Sequence, residues 1–216
     1  WMRLLRVFGK LLISVGMGVL LFVGWTLWGT GLYFNGQQND LRQEFDAQPD
    51  AIPVSKGPQG PPNGFEPGPG KAVFNLVIPV IDLDQIVVQG VGVEELKKGP
   101  GHYPECRSGF VKPLCTEFEE IWPGEKGRVI VSGHRTTYGA PFWDLDKLRR
   151  GDEIITKTKW GSFTYRITKK SVVPPDSLAI AVPSNDAEIV LTTCNPKFSA
   201  STRLVVFGKL VPPTPA

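Results

Sequence analysis

Acyl transfer through sulfur needs a thiolate, a group that moves protons, and a donor for the oxyanion formed on the way. The 216-residue chain offers few candidates, with three cysteines and two histidines. Cys106 and Cys115 lie nine positions apart in a loop-like segment that contains Gly109 and Pro113. A disulfide between them would close a short loop and contribute about 2–3 kcal/mol in the chain-entropy model. Cys194 is then left over, at the end of the apolar, β-branched run EIVLTTC. Taken alone, such a free cysteine is more often a small buried hydrophobe than a nucleophile. Its neighbours change the balance. His134 follows the short apolar run RVIVSG directly, and Arg203 opens the next run, RLVVFGKL, after the connection NPKFSAST. Adjacent antiparallel strands would bring Cys194 and Arg203 to the same end of a sheet. His102 sits in the Gly/Pro segment GPGHYP, a poorer place to hold a base.

The elements that must hold these groups read as β. Ala72–Ile81, Asp84–Gln89, Arg128–Val131, Asp152–Thr158, Ser162–Val173, Ile189–Thr193 and Arg203–Leu210 are apolar or alternating runs. Val93–Lys98 and Asp144–Leu148 suit short helical turns. Seven or eight short strands with few helices indicate an all-β fold, a closed or nearly closed barrel. Strand alternation points one of Thr192 and Thr193 into the groove beside Cys194 and the other away, without saying which.

Three strings carry a resemblance. Leu191-Thr192-Thr193-Cys194, Ser132-Gly133-His134-Arg135-Thr136-Thr137-Tyr138-Gly139-Ala140-Pro141-Phe142 and Arg203-Leu204-Val205-Val206 resemble the signature segments of sortases, nearest to class E of the actinobacteria. The first position of the family's Thr-Leu-x-Thr pattern is Val190 here. The resemblance covers about Ala72 to Leu210. It implies an eight-stranded sortase β-barrel and a cysteine transpeptidase, with Cys194 as nucleophile, His134 as the proton carrier and Arg203 as the donor to substrate or oxyanion. It also implies an LAXTG- or LPXTG-type sorting signal on secreted proteins, cleaved between Thr and Gly through a thioester, and a cell-wall precursor amine as acceptor. Tyr138 matches a tyrosine associated with Ala at the second position of the signal. Tyr138, Thr192 and Thr193 are the expected substrate-binding residues. No cofactor is implied, and the acids Glu117, Glu119 and Glu120 read as a solvated surface rather than a metal site.

The rest of the chain says where such a head would stand. From Leu11 to Asn39 there is no charged residue, and Leu11–Phe34 as a helix would be about 36 Å long, enough to cross a bilayer. Trp25, Trp28 and Tyr33 gather at its far end, as aromatic residues do at an interface. Arg3, Arg6 and Lys10 precede it, so residues 1–10 are expected in the cytoplasm and the head outside. A cleaved signal peptide would have a shorter apolar region of about 7–15 residues. Residues 35–70 read as an extended linker, because residues 49–70 hold seven Pro and five Gly, with Asp40–Gln48 before them a short helix or a disordered spacer. The catalytic domain is expected over 71–210, with a tail at 211–216. The three basic residues at the start account for the whole formal net charge of +3. The remainder of the chain balances to zero, which argues against nucleic acid. No Cys-x-x-Cys pair is present for a thiol oxidoreductase. A hydrolytic cysteine endopeptidase would share every motif, and a binding barrel would leave the three residues no reason to meet.

Overall fold

The structure, a computed structural model, describes residues 1–50, 60–107, 110–177 and 180–212. Eight strands close into a barrel: β1 (Ala72–Ile78), β2 (Leu83–Gln89), β3 (Gly101–His102), β4 (Gly127–Ser132), β5 (Glu153–Thr158), β6 (Gly161–Val173), β7 (Ala187–Asn195) and β8 (Thr202–Leu210). Their order around the barrel is β1-β2-β3-β4-β7-β8-β6-β5. β4 runs parallel to β7 and β3 parallel to β2, while the remaining pairs are antiparallel. The expected strands are present. Pro79 ends the first early, because its ring starts a short 3-10 turn at 79–81. The two-residue β3 falls inside the Gly/Pro segment, where sequence periodicity has too few residues to show a strand.

Alternation along the strands sorts side chains into two sets. Val129, Val131, Ile189, Leu191, Leu204 and Val206 belong to the interior cluster, with Phe74, Phe142, Leu145 and Tyr165. Ile130, Val190, Val205 and Phe207 form a second cluster on the outer face. Burial on both sides explains why β4 and β7 are apolar without a break.

The N-terminal part corrects two expectations. A helix α1 (Met2–Gly24) is fully exposed and is long and apolar enough to span a membrane. A π turn at Trp25–Gly29 leads into α2 (Thr30–Ala47). The apolar run thus belongs to two elements, and Phe34, placed by sequence at the end of the span, is 1% exposed against the head. Residues 35–47 are helical rather than an extended linker, and the short helix allowed at Asp40–Gln48 is the end of this longer one. The reason is the spacing of Phe34, Gln38, Leu41 and Phe45, which lines up one buried face. Leu41 and Phe45 pack on Ala72, Ile86 and Val88. Gln38 accepts the Ile86 N–H at 2.7 Å and donates to the carbonyls of Ile86 and Lys98 at 3.0 and 2.9 Å. Part of the expected linker (51–59), part of the tail (213–216) and the side chain of Trp28 lie outside the described residues.

The first turns of α2 reach the loop after β4. The Tyr138 N–H donates to Thr30 Oγ1 at 3.3 Å. Gly139 has φ +70°, and a Cβ there would stand 2.3 Å from the Phe34 ring. Glycine is required twice over, for the backbone and for the close approach. Replacing Phe34 by Ala should cost about 3–5 kcal/mol, read as a lower thermal midpoint of the full chain in detergent. An unchanged midpoint would show that α2 is not docked on the head.

Candidate active site

The strand registers assemble the site. Cys194 on β7 is the direct partner of Arg203 on β8, and Asn195 that of Thr202. On the parallel side Ser132 pairs with Thr192, and the Gly133 N–H extends the ladder by donating to the Thr192 carbonyl at 3.1 Å. His134 is two residues beyond Ser132, and Cys194 two beyond Thr192. Both therefore arrive at the same height of the barrel, on neighbouring strands. Counting by twos from Val190 and Val205 puts Thr192, Cys194 and Arg203 on the outer face. Cys194 and Arg203 thus lie at the same sheet end, as adjacent antiparallel strands would place them.

Cys194 is a free thiol and half-buried. His134 is also half-buried, yet its Nε2 is fully enclosed and has no hydrogen-bond partner among the described residues. Desolvation by burial pushes the His134 pKa below the ordinary 6.5. The neutral imidazole is thus favoured at neutral pH, leaving a nitrogen able to accept a proton. Its ring lies against Tyr138, centroids 5.3 Å apart and tilted by 35°. Arg203 Nη1 donates to the Ala200 and Thr202 carbonyls at 3.0 and 3.2 Å, and the residue is part-exposed. Those bonds leave the guanidinium further donors, since it carries five.

The two threonines separate. Thr192 is on the Cys194 face, and its Oγ1 is buried without a partner among the described residues. Thr193 points the other way, and its hydroxyl donates to the Gly133 carbonyl at 2.8 Å. The side chain of Thr193 therefore braces the residue before His134 instead of lining the groove. Tyr138 stands beside His134 as expected, in a left-handed conformation with φ 49°.

Sequence reasoning passed over Arg135 and Asn195. Arg135 is 4% exposed and donates to Asn195 Oδ1 at 2.7 Å. The signal available was an always-charged side chain in a run whose neighbours read as strand end, which demands a buried partner.

Away from the site, Cys106 and Cys115 are bonded, with an S–S distance of 2.04 Å. The segment is also tied down by Cys106 N–H to Thr116 O at 2.8 Å and by Arg107 to Glu120 at 2.9 Å. His102 is 1% exposed, with Nδ1 3.0 Å from Gln89 Oε1 and Nε2 3.0 Å from the Ile121 carbonyl. Burial pushes the Glu120 carboxyl up, but hydrogen bonds and charges from His102, Gln89 and Arg107 outweigh it and hold it below the usual range. Glu117 pairs with Lys112. Two of the three acids are thus engaged in ion pairs. Among the described residues, no group of three His, Cys, Asp or Glu could hold a metal ion.

The fold has counterparts. A sortase-domain family model matches residues 76–211. The chain belongs to the sortase family. It is 31% identical to the sortase SrtE1 of Streptomyces coelicolor over 97% of its own length, and spans 58% of that relative. It is 33% identical to sortase D of Bacillus subtilis, covering 68% of each chain. Among solved structures, sortase E1 of Streptomyces coelicolor matches with a TM-score of 0.55 and 30% identity, over 67% of this chain and 90% of that one. Class E members are thus among the similar relatives of this sortase, in line with its motifs.

The burial of His134 makes a direct prediction for this sortase. Its imidazole should titrate, by NMR, with a midpoint below 6.5. Just below that pH the unfolded chain binds a proton that the folded chain refuses, so this group's contribution to stability falls as pH drops. A midpoint above 6.5 would contradict the burial.

Proposed function

We propose that this sortase is a membrane-anchored cysteine transpeptidase. It cleaves an LAXTG- or LPXTG-type sorting signal between Thr and Gly and passes the protein to a cell-wall amine. The observation that carries the reading is the pairing of Cys194 with Arg203, at the strand ends that also carry His134, whose buried nitrogen no described residue engages.

In this reading the Cys194 thiol gives its proton to His134, and the sulfur attacks the carbonyl of the signal's Thr. The carbonyl oxygen becomes an oxyanion, which Arg203 stabilises by donating hydrogen bonds. The intermediate collapses with rupture of the Thr–Gly bond, and the imidazolium returns its proton to the leaving amine. A thioester joins Cys194 to the signal's Thr. An incoming amine then attacks the thioester, His134 takes its proton, and the thiol is regenerated as the new amide forms. Thr192, with its unpartnered hydroxyl, is available to the signal's backbone. Tyr138, against the imidazole, faces the second position and favours Ala there.

Helix α1 anchors the head. The basic residues Arg3, Arg6 and Lys10 favour a cytoplasmic N-terminus and an outward-facing barrel. The partners are secreted proteins with a C-terminal sorting signal and a peptidoglycan-precursor amine.

The test incubates the full chain in detergent with an LAXTG peptide and triglycine, and reads products by mass spectrometry. The ligated peptide is the expected product. Cleavage to the free acid alone would support a hydrolase instead. Cys194→Ala should give no product at an unchanged thermal midpoint. Arg203→Ala should lower kcat by about 10²–10³-fold, the usual cost of one oxyanion donor. Turnover by Cys194→Ala would end the assignment.

A further inference from the structure

Three residues with no part in the proposed chemistry form one hydrogen-bonded chain, and each is the sequence neighbour of a residue that has one. Arg135 follows His134, Asn195 follows Cys194, and Thr202 precedes Arg203. Arg135 Nη1 donates to Asn195 Oδ1 at 2.7 Å and more weakly to the Cys194 carbonyl at 3.4 Å. Its Nη2 stands 3.1 Å from Asp146 Oδ1. Asn195 Nδ2 donates to Thr202 Oγ1 at 3.1 Å, and that hydroxyl donates back to the Asn195 carbonyl at 2.8 Å.

We propose that Arg135, acting through Asn195 and Thr202, is a positioning residue that fixes the mutual placement of His134, Cys194 and Arg203. The inference rests on the transpeptidase reading above. β4 ends at Ser132, so His134 lies past the regular ladder. The residue before it is tied to β7 twice, through Gly133 N–H to Thr192 O and Thr193 Oγ1 to Gly133 O. The residue after it is tied to β7 by Arg135. The base is therefore bracketed on both sides by bonds to the strand that carries the nucleophile. Asn195 and Thr202 pass the same constraint to β8 and Arg203.

The chemistry of Arg135 suits this work. A guanidinium cannot shed its proton to escape burial, so its position is dictated by its partners. Its rigid fork reaches the Asn195 amide with one arm and the Asp146 carboxylate with the other, which a lysine ammonium on a flexible stem cannot reproduce. Asp146 belongs to the 3-10 turn at 145–147, whose Leu145 is buried in the barrel core. The clamp is thus anchored in the interior. Misplacing a catalytic group by about 1 Å can cost 10²-fold in rate, so such a brace is worth its buried charge.

The experiment measures kcat and KM on the sorting peptide, pH profiles and thermal midpoints for the full chain. Arg135→Ala and Asn195→Ala should each lower kcat by about 10–100-fold with little change in KM. Arg135→Lys should recover only part of the loss. The double variant should be no worse than the weaker single one, as for residues acting as a unit. The low-pH limb should move up in Arg135→Ala, because a loosened loop lets water reach His134. Arg166→Ala, which breaks an exposed pair with Glu153, is the control and should change nothing. If Arg135→Ala does not fold, Asn195→Ala and Thr202→Val at the half-exposed edge carry the test. Wild-type kcat in folded variants, losses that multiply, or an unmoved pH limb would overturn the clamp while leaving the transpeptidase standing. A wild-type chain that forms no acyl-enzyme would sink both.

Discussion

The parallel ladder between β4 and β7 is the constraint on which the site depends. Its register sets Ser132 against Thr192, and two residues later on each strand come the imidazole and the sulfur. The antiparallel β7–β8 ladder then fixes Arg203 opposite Cys194. A slip of one residue in either ladder would send the affected side chain to the other face. What prevents the slip is burial on both faces. Val129, Val131, Ile189 and Leu191 fill the barrel, while Ile130 and Val190 are covered outside. The apolar content of these strands therefore sets the placement of His134, Cys194 and Arg203 as well as contributing stability.

Beyond the ladders, polar bonds take over where backbone pairing ends. Thr193, Arg135 and Asn195 hold the strand ends at Gly133 and Cys194. The loop that follows is braced from a third side by α2, through Thr30 and Phe34. Helix α2 continues from the membrane-suited α1, so the segment that walls the loop beside His134 follows directly on a helix long and apolar enough to cross a membrane. The disulfide-bonded segment at 106–115 is fixed separately, through the pairs that Glu120 makes with Arg107 and His102.

Much of this was legible in the chain. Cys194, His134 and Arg203 stood at the ends of apolar runs, and the barrel followed from the number and spacing of those runs. The leftover cysteine followed from counting, and the Cys106–Cys115 pair from its short spacing. The boundary between anchor and head was not legible. Apolar residues that face lipid and apolar residues that face a barrel look alike in one dimension, so Phe34 was assigned to the bilayer. The short β3 was missed because two residues carry no period.

By itself the sequence determined which groups could react and which strands would carry them, because residue type and periodicity are local properties. The tertiary structure decided which threonine shares the face of Cys194, where Phe34 is buried, and which residues tie the strand ends together. Those outcomes depend on register and on contacts between residues tens of positions apart. No local pattern records that Arg135 bonds to Asn195, since the bond exists only once the barrel has closed.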